Sequence, residues 1–208
     1  MRPTRTQGAA IAAVALALLF AGGAVTVATG GEEKPPTPSS DSADAGFARE
    51  MAVHHQQAVE MSFIVRDRTR DEDVRRLAYD IANTQANQRG MMLGWLDLWG
   101  LPKTVSGVAP MTWMGMGGSG DPGDLDGALM PGMATNTQLN ELRQASGREA
   151  EVLYLKLMTE HHRGGVHMAE GCVQKCTVDT VRNLSQGMVD SQQSEIRLMT
   201  DMLNKRRG

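Results

Sequence analysis

Phe47 to Met61 reads FAREMAVHHQQAVEM, and a second version, YLKLMTEHHRGGVHM, runs from Tyr154 to Met168 at a constant offset of 107 residues. Met51, His54, His55, Val59 and Met61 return as Met158, His161, His162, Val166 and Met168. The register continues without a gap: Val74, Arg75, Leu77, Gln85, Met92 and Leu96 return as Val181, Arg182, Leu184, Gln192, Met199 and Leu203. Eleven identities in one register describe an internal duplication of a two-helix unit. Four of the five histidines sit at its repeated centre.

The repeat is helical. Phe47, Met51, His54, Ala58, Met61 and Val65 are spaced 4-3-4-3-4, the seam of a helix packed in a bundle, and Tyr154, Met158, His161, Gly165, Met168 and Cys172 repeat it. A lone histidine on such a seam reads as a packing residue with a satisfied ring. Two matched His-His pairs, in a chain with one other histidine, point instead to a site.

The predicted elements follow from these anchors. Helices are expected over about 45–68 and 72–98, separated by the charged turn of Arg66 to Asp73 and stopped by Gly100-Leu101-Pro102. Their copies fall at about 148–175 and 178–205. Thr135 and Gln138 form a capping box that opens a short helix through Ala145. The expected fold is all-α: a four-helix bundle over residues 45–205, built from two duplicated hairpins, repeat 1 at about 45–98 and repeat 2 at about 148–205.

In the second helix the stripe Val74, Leu77, Ile81, Thr84/Gln85, Gln88, Met91/Met92 and Trp95 turns polar at Gln85 and Gln88, opposite the histidines of an antiparallel hairpin. The copy places Gln192 and Glu195 there. A buried carboxylate is costly without a partner, so Glu195 implies a cation, a metal or a hydrogen-bonding group beside it. The plainer alternative is that Gln85 and Gln192 simply hydrogen-bond the imidazole rings.

Outside the repeats, residues 1–29 combine Arg2 and Arg5 with the apolar run Ala9 to Ala28. That is the pattern of an export signal, and at about 20 residues the run could equally stay as a membrane anchor. Either way the positive start leaves the rest of the chain outside the cytoplasm. Residues 30–44, rich in Pro, Ser and acid, read as a flexible tether, with Ser42 or Asp44 as cap of the first helix.

The connection 103–136 carries five of the fifteen methionines: Met111, Met114, Met116, Met130 and Met133. In a Gly/Pro-rich loop these read as exposed thioethers, either soft ligands or adventitious residues of a connector. Gly164-Gly165 in mid-helix costs about 1 kcal/mol per residue against alanine, and implies close backbone approach beside the second His pair. Cys172 and Cys176, one turn apart, favour a local disulfide in an exported chain, with free thiols or thiolate ligands as the alternatives.

Charge excludes one class: 21 basic against 24 acidic residues gives a net −3 without a basic stripe, so no nucleic-acid partner is expected. No phosphate loop or nucleophile motif is present. A di-iron bundle uses Glu-x-x-His on two of its helices. Here the residues three before His54 and His161 are Met51 and Met158. Exchanging a carboxylate for a thioether disfavours Fe(III) and favours copper, above all Cu(I); zinc, which rarely takes methionine, fits less well.

The pattern F-x3-M-x2-HH-x2-AV-x-M, the later Q-x2-E-x3-M and MPGM before a short helix resemble the exported bacterial family called domain of unknown function 305, over residues 44–205. The resemblance implies a ferritin-like four-helix bundle and, from some members, copper binding linked to copper tolerance. It carries over to Met51, His54, His55, Met61, Met158, His161, His162, Met168, Gln192, Glu195 and Met199. This chain departs from symmetry at Gln88, where the second copy has Glu195, and at Ala58, where it has Gly165.

The expected ligand set is therefore Met51, His54, His55, Met61, Met92, Met158, His161, His162, Met168, Glu195 and Met199, with copper ions as cargo and another divalent metal as the alternative. Seam geometry places His54 and His161 inward, with His55 and His162 about 100° round at the flank. Met51 to Met61 and Met158 to Met168 are too far apart along the axis for one tetrahedral site: either several ions bind along the seam, or His55 and His162 face outward and serve a separate surface site, so more than one ion per chain is expected. A metal-dependent oxidase and a metal-free structural bundle are the competing functions.

Overall fold

The computed structural model describes residues 37–117 and 125–206. The expected signal or anchor at 1–29 and the first part of the tether lie outside the described residues. Among the described residues there are five α-helices, one short 3-10 helix and no strand. The helices are α1 (Ala43–Arg68), α2 (Glu72–Trp99), α3 (Asn136–Gln144), α4 (Gly147–Lys175) and α5 (Asp179–Lys205), with the 3-10 turn at Thr112–Met114. None of them is long and apolar enough to cross a membrane.

Local chemistry sets the ends. Ser42 caps α1 by accepting from Ala45 N at 3.2 Å, and Asp71 caps α2 by accepting from Val74 N at 2.9 Å. Gly100 closes α2 in the left-handed region at φ 67°, two residues before Pro102. Both halves of the Thr135–Gln138 capping box are formed. Asp44, the other expected cap of α1, does different work. It is buried, and its carboxylate accepts from Thr177 N, Thr177 Oγ1 and Val178 N at 2.9–3.1 Å. It thereby supplies the negative charge and acceptors at the head of α5, where Val178 provides no side-chain cap.

α1 packs on α2, α4 packs on α5, and α1 lies against α4. Two buried clusters follow. One gathers Met61, Val65, Leu77, Ile81, Tyr154, Met158, Met199 and Leu203. The other gathers Phe47, Met51, Met92, Leu96, Met168, Cys172, Val181 and Met188. Met61 thus meets the neighbourhood of Met158, and Met51 that of Met168, so α1 and α4 run antiparallel. Ser62 Oγ and Tyr154 Oη, 3.1 Å apart, fix the same register. The histidines of both helices fall between the two clusters.

In its described residues, 103–117 and 125–136, the long connection is not the exposed strap expected from its composition. Met111 and Met130 are buried in the second cluster, Met114 and Met133 pack partly against it, and only Met116 of the five stands exposed. The reason is an anchor on α1: the Glu50 carboxylate accepts from Met111 N at 3.1 Å and from Trp113 Nε1 at 2.8 Å. Burial pushes the Glu50 carboxyl up, although the two donors pull the other way. Trp113 also sets its ring edge-on to Phe47, with centroids 5.8 Å apart.

Cys172 and Cys176 form a disulfide with Cα atoms 4.9 Å apart. Both are buried, and the bridge staples the last turn of α4. The thiolate-ligand alternative falls away.

Candidate metal centre

α1 and α4 bring the two His-His pairs into contact. The rings of His54 and His161 stack with centroids 3.8 Å apart and planes inclined by 32°. His161 Nε2 donates to the backbone oxygen of His54 at 2.9 Å, a contact across the repeat offset itself. His54 Nε2 donates to Pro131 O at 3.0 Å. The outer member of each pair reaches sideways within its own hairpin. His55 Nε2 donates to Gln88 Oε1 at 2.8 Å, and His162 Nε2 to Glu195 Oε2 at 2.7 Å.

All four histidines are 0% exposed, which corrects the alternative that His55 and His162 face outward to a separate surface site. Each central helix packs on two neighbours, so its buried face is wide. A residue about 100° round from the α1–α4 seam points at the hairpin partner, not at water. The glutamine assignment also changes. Gln88 and Glu195 hold the rings, while Gln85 Oε1 and Gln192 Oε1 are buried without a hydrogen-bond partner among the described residues.

These partners define the chemistry of the rings. A carbonyl or carboxylate oxygen can only accept, so the proton of each imidazole lies on Nε2. Each Nδ1 then carries a lone pair, and all four Nδ1 atoms are buried without a hydrogen-bond partner among the described residues. Burial disfavours the charged form of His54, His55 and His161. It pushes His54 down to about 4, His55 down to about 3 and His161 well below its ordinary value, with neighbouring imidazoles adding to the effect. Buried imidazoles tied through one nitrogen and without a partner at the other are the arrangement that metal-ligating histidines also use.

The Pro131 carbonyl was not foreseen as a partner. It is delivered by MPGM, which presses backbone to backbone onto α4. A Cβ on Gly164 would stand 1.8 Å from Pro131 O and 2.4 Å from its carbonyl carbon. Gly132 sits at φ 78°, and a Cβ there would meet Glu160 O at 2.3 Å. Gln57 clasps the same segment, accepting from Ala134 N at 2.7 Å and donating to Ala134 O at 2.9 Å. The sequence signal was the glycine pair inside α4 together with the glycine of MPGM. Gly165 serves a separate purpose, making room for Gln192, whose Oε1 would be 2.4 Å from a Cβ.

Gly164→Ala is a clean test because two effects oppose each other. Helix propensity alone predicts a gain of about 1 kcal/mol. The clash with Pro131 backbone predicts a net loss of roughly 1–3 kcal/mol, together with a displaced His54 ring. Urea unfolding of the variant should show the loss; a gain would mean that the MPGM seat is soft.

The methionines of the expected set are all fully buried. Met51, Met92 and Met168 belong to the cluster on one side of the histidine layer, and Met61, Met158 and Met199 to the cluster on the other. Glu195 is partly exposed and engages His162. Among the described residues no three His, Cys, Asp or Glu side chains are grouped to hold a metal ion.

Comparison with known proteins places this architecture. The family described as Domain of unknown function (DUF305) matches residues 44–203, and the chain belongs to that family. A DUF305 protein from Streptomyces coelicolor, described as secreted, has 66% sequence identity and a TM-score of 0.75, covering 82% of this chain and 97% of its own. A DUF305 fragment from Deinococcus radiodurans has 29% identity and a TM-score of 0.65, covering 82% of this chain and 99% of its own. CopM in a Cu(I)-bound form has 20% identity and a TM-score of 0.59, covering 79% of this chain and 98% of its own. At that identity CopM shows a shared fold alone. No curated protein matches the chain.

Proposed function

We propose that this DUF305 protein binds Cu(I) outside the cytoplasm, as cargo held by His54, His55, His161 and His162 together with thioethers of Met51, Met61, Met92, Met158, Met168 and Met199. The observation that carries this reading is the set of four buried Nδ1 atoms whose rings are already fixed through Nε2. A buried lone pair without a donor is costly, and a metal ion relieves that cost where no proton donor is offered. Imidazole with thioether is a soft donor set suited to Cu(I), and the two methionine triplets flanking the rings supply donors for more than one ion. Glu195 acts by orienting His162 through a carboxylate, while Gln88 holds His55 through an amide, so the two halves bind unequally.

Three further points support the reading. CopM, which shares the fold, has been solved in Cu(I)-bound, Cu(II)-bound and Ag-bound forms. The Streptomyces coelicolor relative is described as secreted, which agrees with a cationic and apolar N-terminus that exports the chain, whether cleaved or kept as an anchor. We read the fold as a ferritin-like four-helix bundle of two duplicated hairpins, on the matched separations of His55 to Gln88 and His162 to Glu195. A di-iron oxidase needs several carboxylates around its histidines. Among the described residues only Glu195 hydrogen-bonds one.

The test is Cu(I) titration of the purified protein against a chelator, with Cu(II) and Zn(II) as competitors. Cu(I) should be retained preferentially, at more than one ion per chain. Glu195→Gln should weaken one class of site by roughly 10–100-fold, because it replaces the charged partner of a ligating histidine. Unchanged affinity would remove Glu195 from the site.

A further inference from the structure

We propose that His167 and Met116 form a second, solvent-facing site for a soft monovalent cation, Cu(I) or Ag(I), separate from the buried centre. His167 is the fifth histidine, and the first repeat has Glu60 at its position, so it is not part of the duplicated core. It lies on an exposed face of α4. Its Nε2 is 3.4 Å from the Sδ of Met116, whose side chain reaches across from the connection. Met116 is 50% exposed, so this thioether is not there to fill a core.

The separation suits shared coordination. With metal–nitrogen and metal–sulfur bonds of about 2.0 and 2.3 Å, a tetrahedral angle at the metal sets the two donors ~3.5 Å apart. The pair is thus already near ligating distance. A second thioether lies on the same face. Met114 rests on Gly171, four residues and ~6 Å further along α4. A Cβ at Gly171 would stand 2.4 Å from Met114 Cε and 2.9 Å from its Sδ. Glycine at 171 therefore lets Met114 lie flat against the helix beside His167.

The donors are held in place beforehand. The segment that carries Met114 and Met116 is pinned to α1 by the Glu50 contacts to Met111 N and Trp113 Nε1, and it turns at Gly115 with φ 79°. An imidazole and one or two thioethers offer no negative charge, so the site favours a soft monovalent ion over Zn(II) or Ca(II). It is open to solvent, whereas the Nδ1 atoms of the centre are buried. The surface site would meet an incoming ion first.

The experiment is an Ag(I) titration of the full-length protein carrying 13C-methyl methionine and 15N histidine, in chloride-free buffer. Met116 methyl and His167 Nε2 should shift together, with Met114 following. In Met116→Leu/His167→Asn these responses vanish and stoichiometry falls by one ion per chain, while the His54 and His161 signals respond as in the parent and far-UV dichroism is unchanged. Two results would overturn the site: a Met116 methyl that stays still while other methionines saturate, or full stoichiometry in the double variant. Should Met116 and His167 respond while His54 and His161 stay silent, the surface site stands and the buried centre falls.

Discussion

Replacing His54 and His161 together by alanine should weaken the tightest Cu(I) binding by more than about 100-fold while leaving the chain helical. Losing one outer partner of a ligating histidine costs roughly 10–100-fold in affinity, and losing two ligands outright exceeds that. The fold should persist because the variant leaves both methionine-bearing clusters in place, with Phe47, Leu96 and Met168 on one side and Ile81, Tyr154 and Leu203 on the other. It also removes two buried rings whose Nδ1 atoms have no partner, so part of the cavity penalty is offset. Chelator competition measures the affinity and far-UV dichroism the fold. Parental Cu(I) affinity in this variant would move the search to the methionines of the Met111–Met133 connection.

Acidification is the second large effect. The metal-free protein should lose stability on the order of 3 kcal/mol, from His54 alone, between pH 6.5 and pH 4. The folded state holds His54 down to about 4 and His55 down to about 3, against 6.5 for a free ring. In that window the unfolded chain binds protons that the native chain refuses, so acid favours unfolding. The stabilisation is complete above pH 6.5 and lost progressively as pH falls towards the folded values. His55 extends the loss to lower pH, and His161 acts in the same direction. A loss of this size is a large share of the 5–15 kcal/mol typical of a domain. Urea midpoints measured from pH 7.5 down to pH 4 should be flat and then fall steeply. His54→Gln, which does not titrate, should flatten the slope. A profile independent of pH would mean that the rings reach solvent.

Much of the fold was legible in the sequence because it is written in strong local signals. Seam spacing and the His-His register placed the long helices, and Thr135 and Gly100 marked ends that the structure also has. Less could be read where one residue has two neighbours to choose between. A seam defines one buried direction, so His55 and His162 were assigned to the flank, although α2 and α5 cover that flank as well. Asp44 and Ser42 are both good caps in one dimension, and only the packed turn at Thr177 separates their roles. The partner of His54 is a backbone oxygen 77 residues away, for which no side chain gives a signal. Its trace was indirect: the glycines in α4, which cost helix stability and imply close contact, and the glycine of MPGM that meets them. Composition misled for the connection, where Met111 and Met130 are core residues because Glu50 pins the segment down.

The most direct measurement is the nitrogen state of the histidines. Long-range 1H–15N spectra of the 15N-histidine protein at pH 7, before and after one equivalent of Cu(I), report which ring nitrogen carries the proton and which meets the metal. In the metal-free protein His54, His55, His161 and His162 should all be protonated on Nε2, with the Nδ1 of His54, His55 and His161 bare. On adding Cu(I), Nδ1 resonances of the central histidines should move while their Nε2 protons stay. Protons found on Nδ1, or Nδ1 signals that ignore Cu(I), would contradict the account.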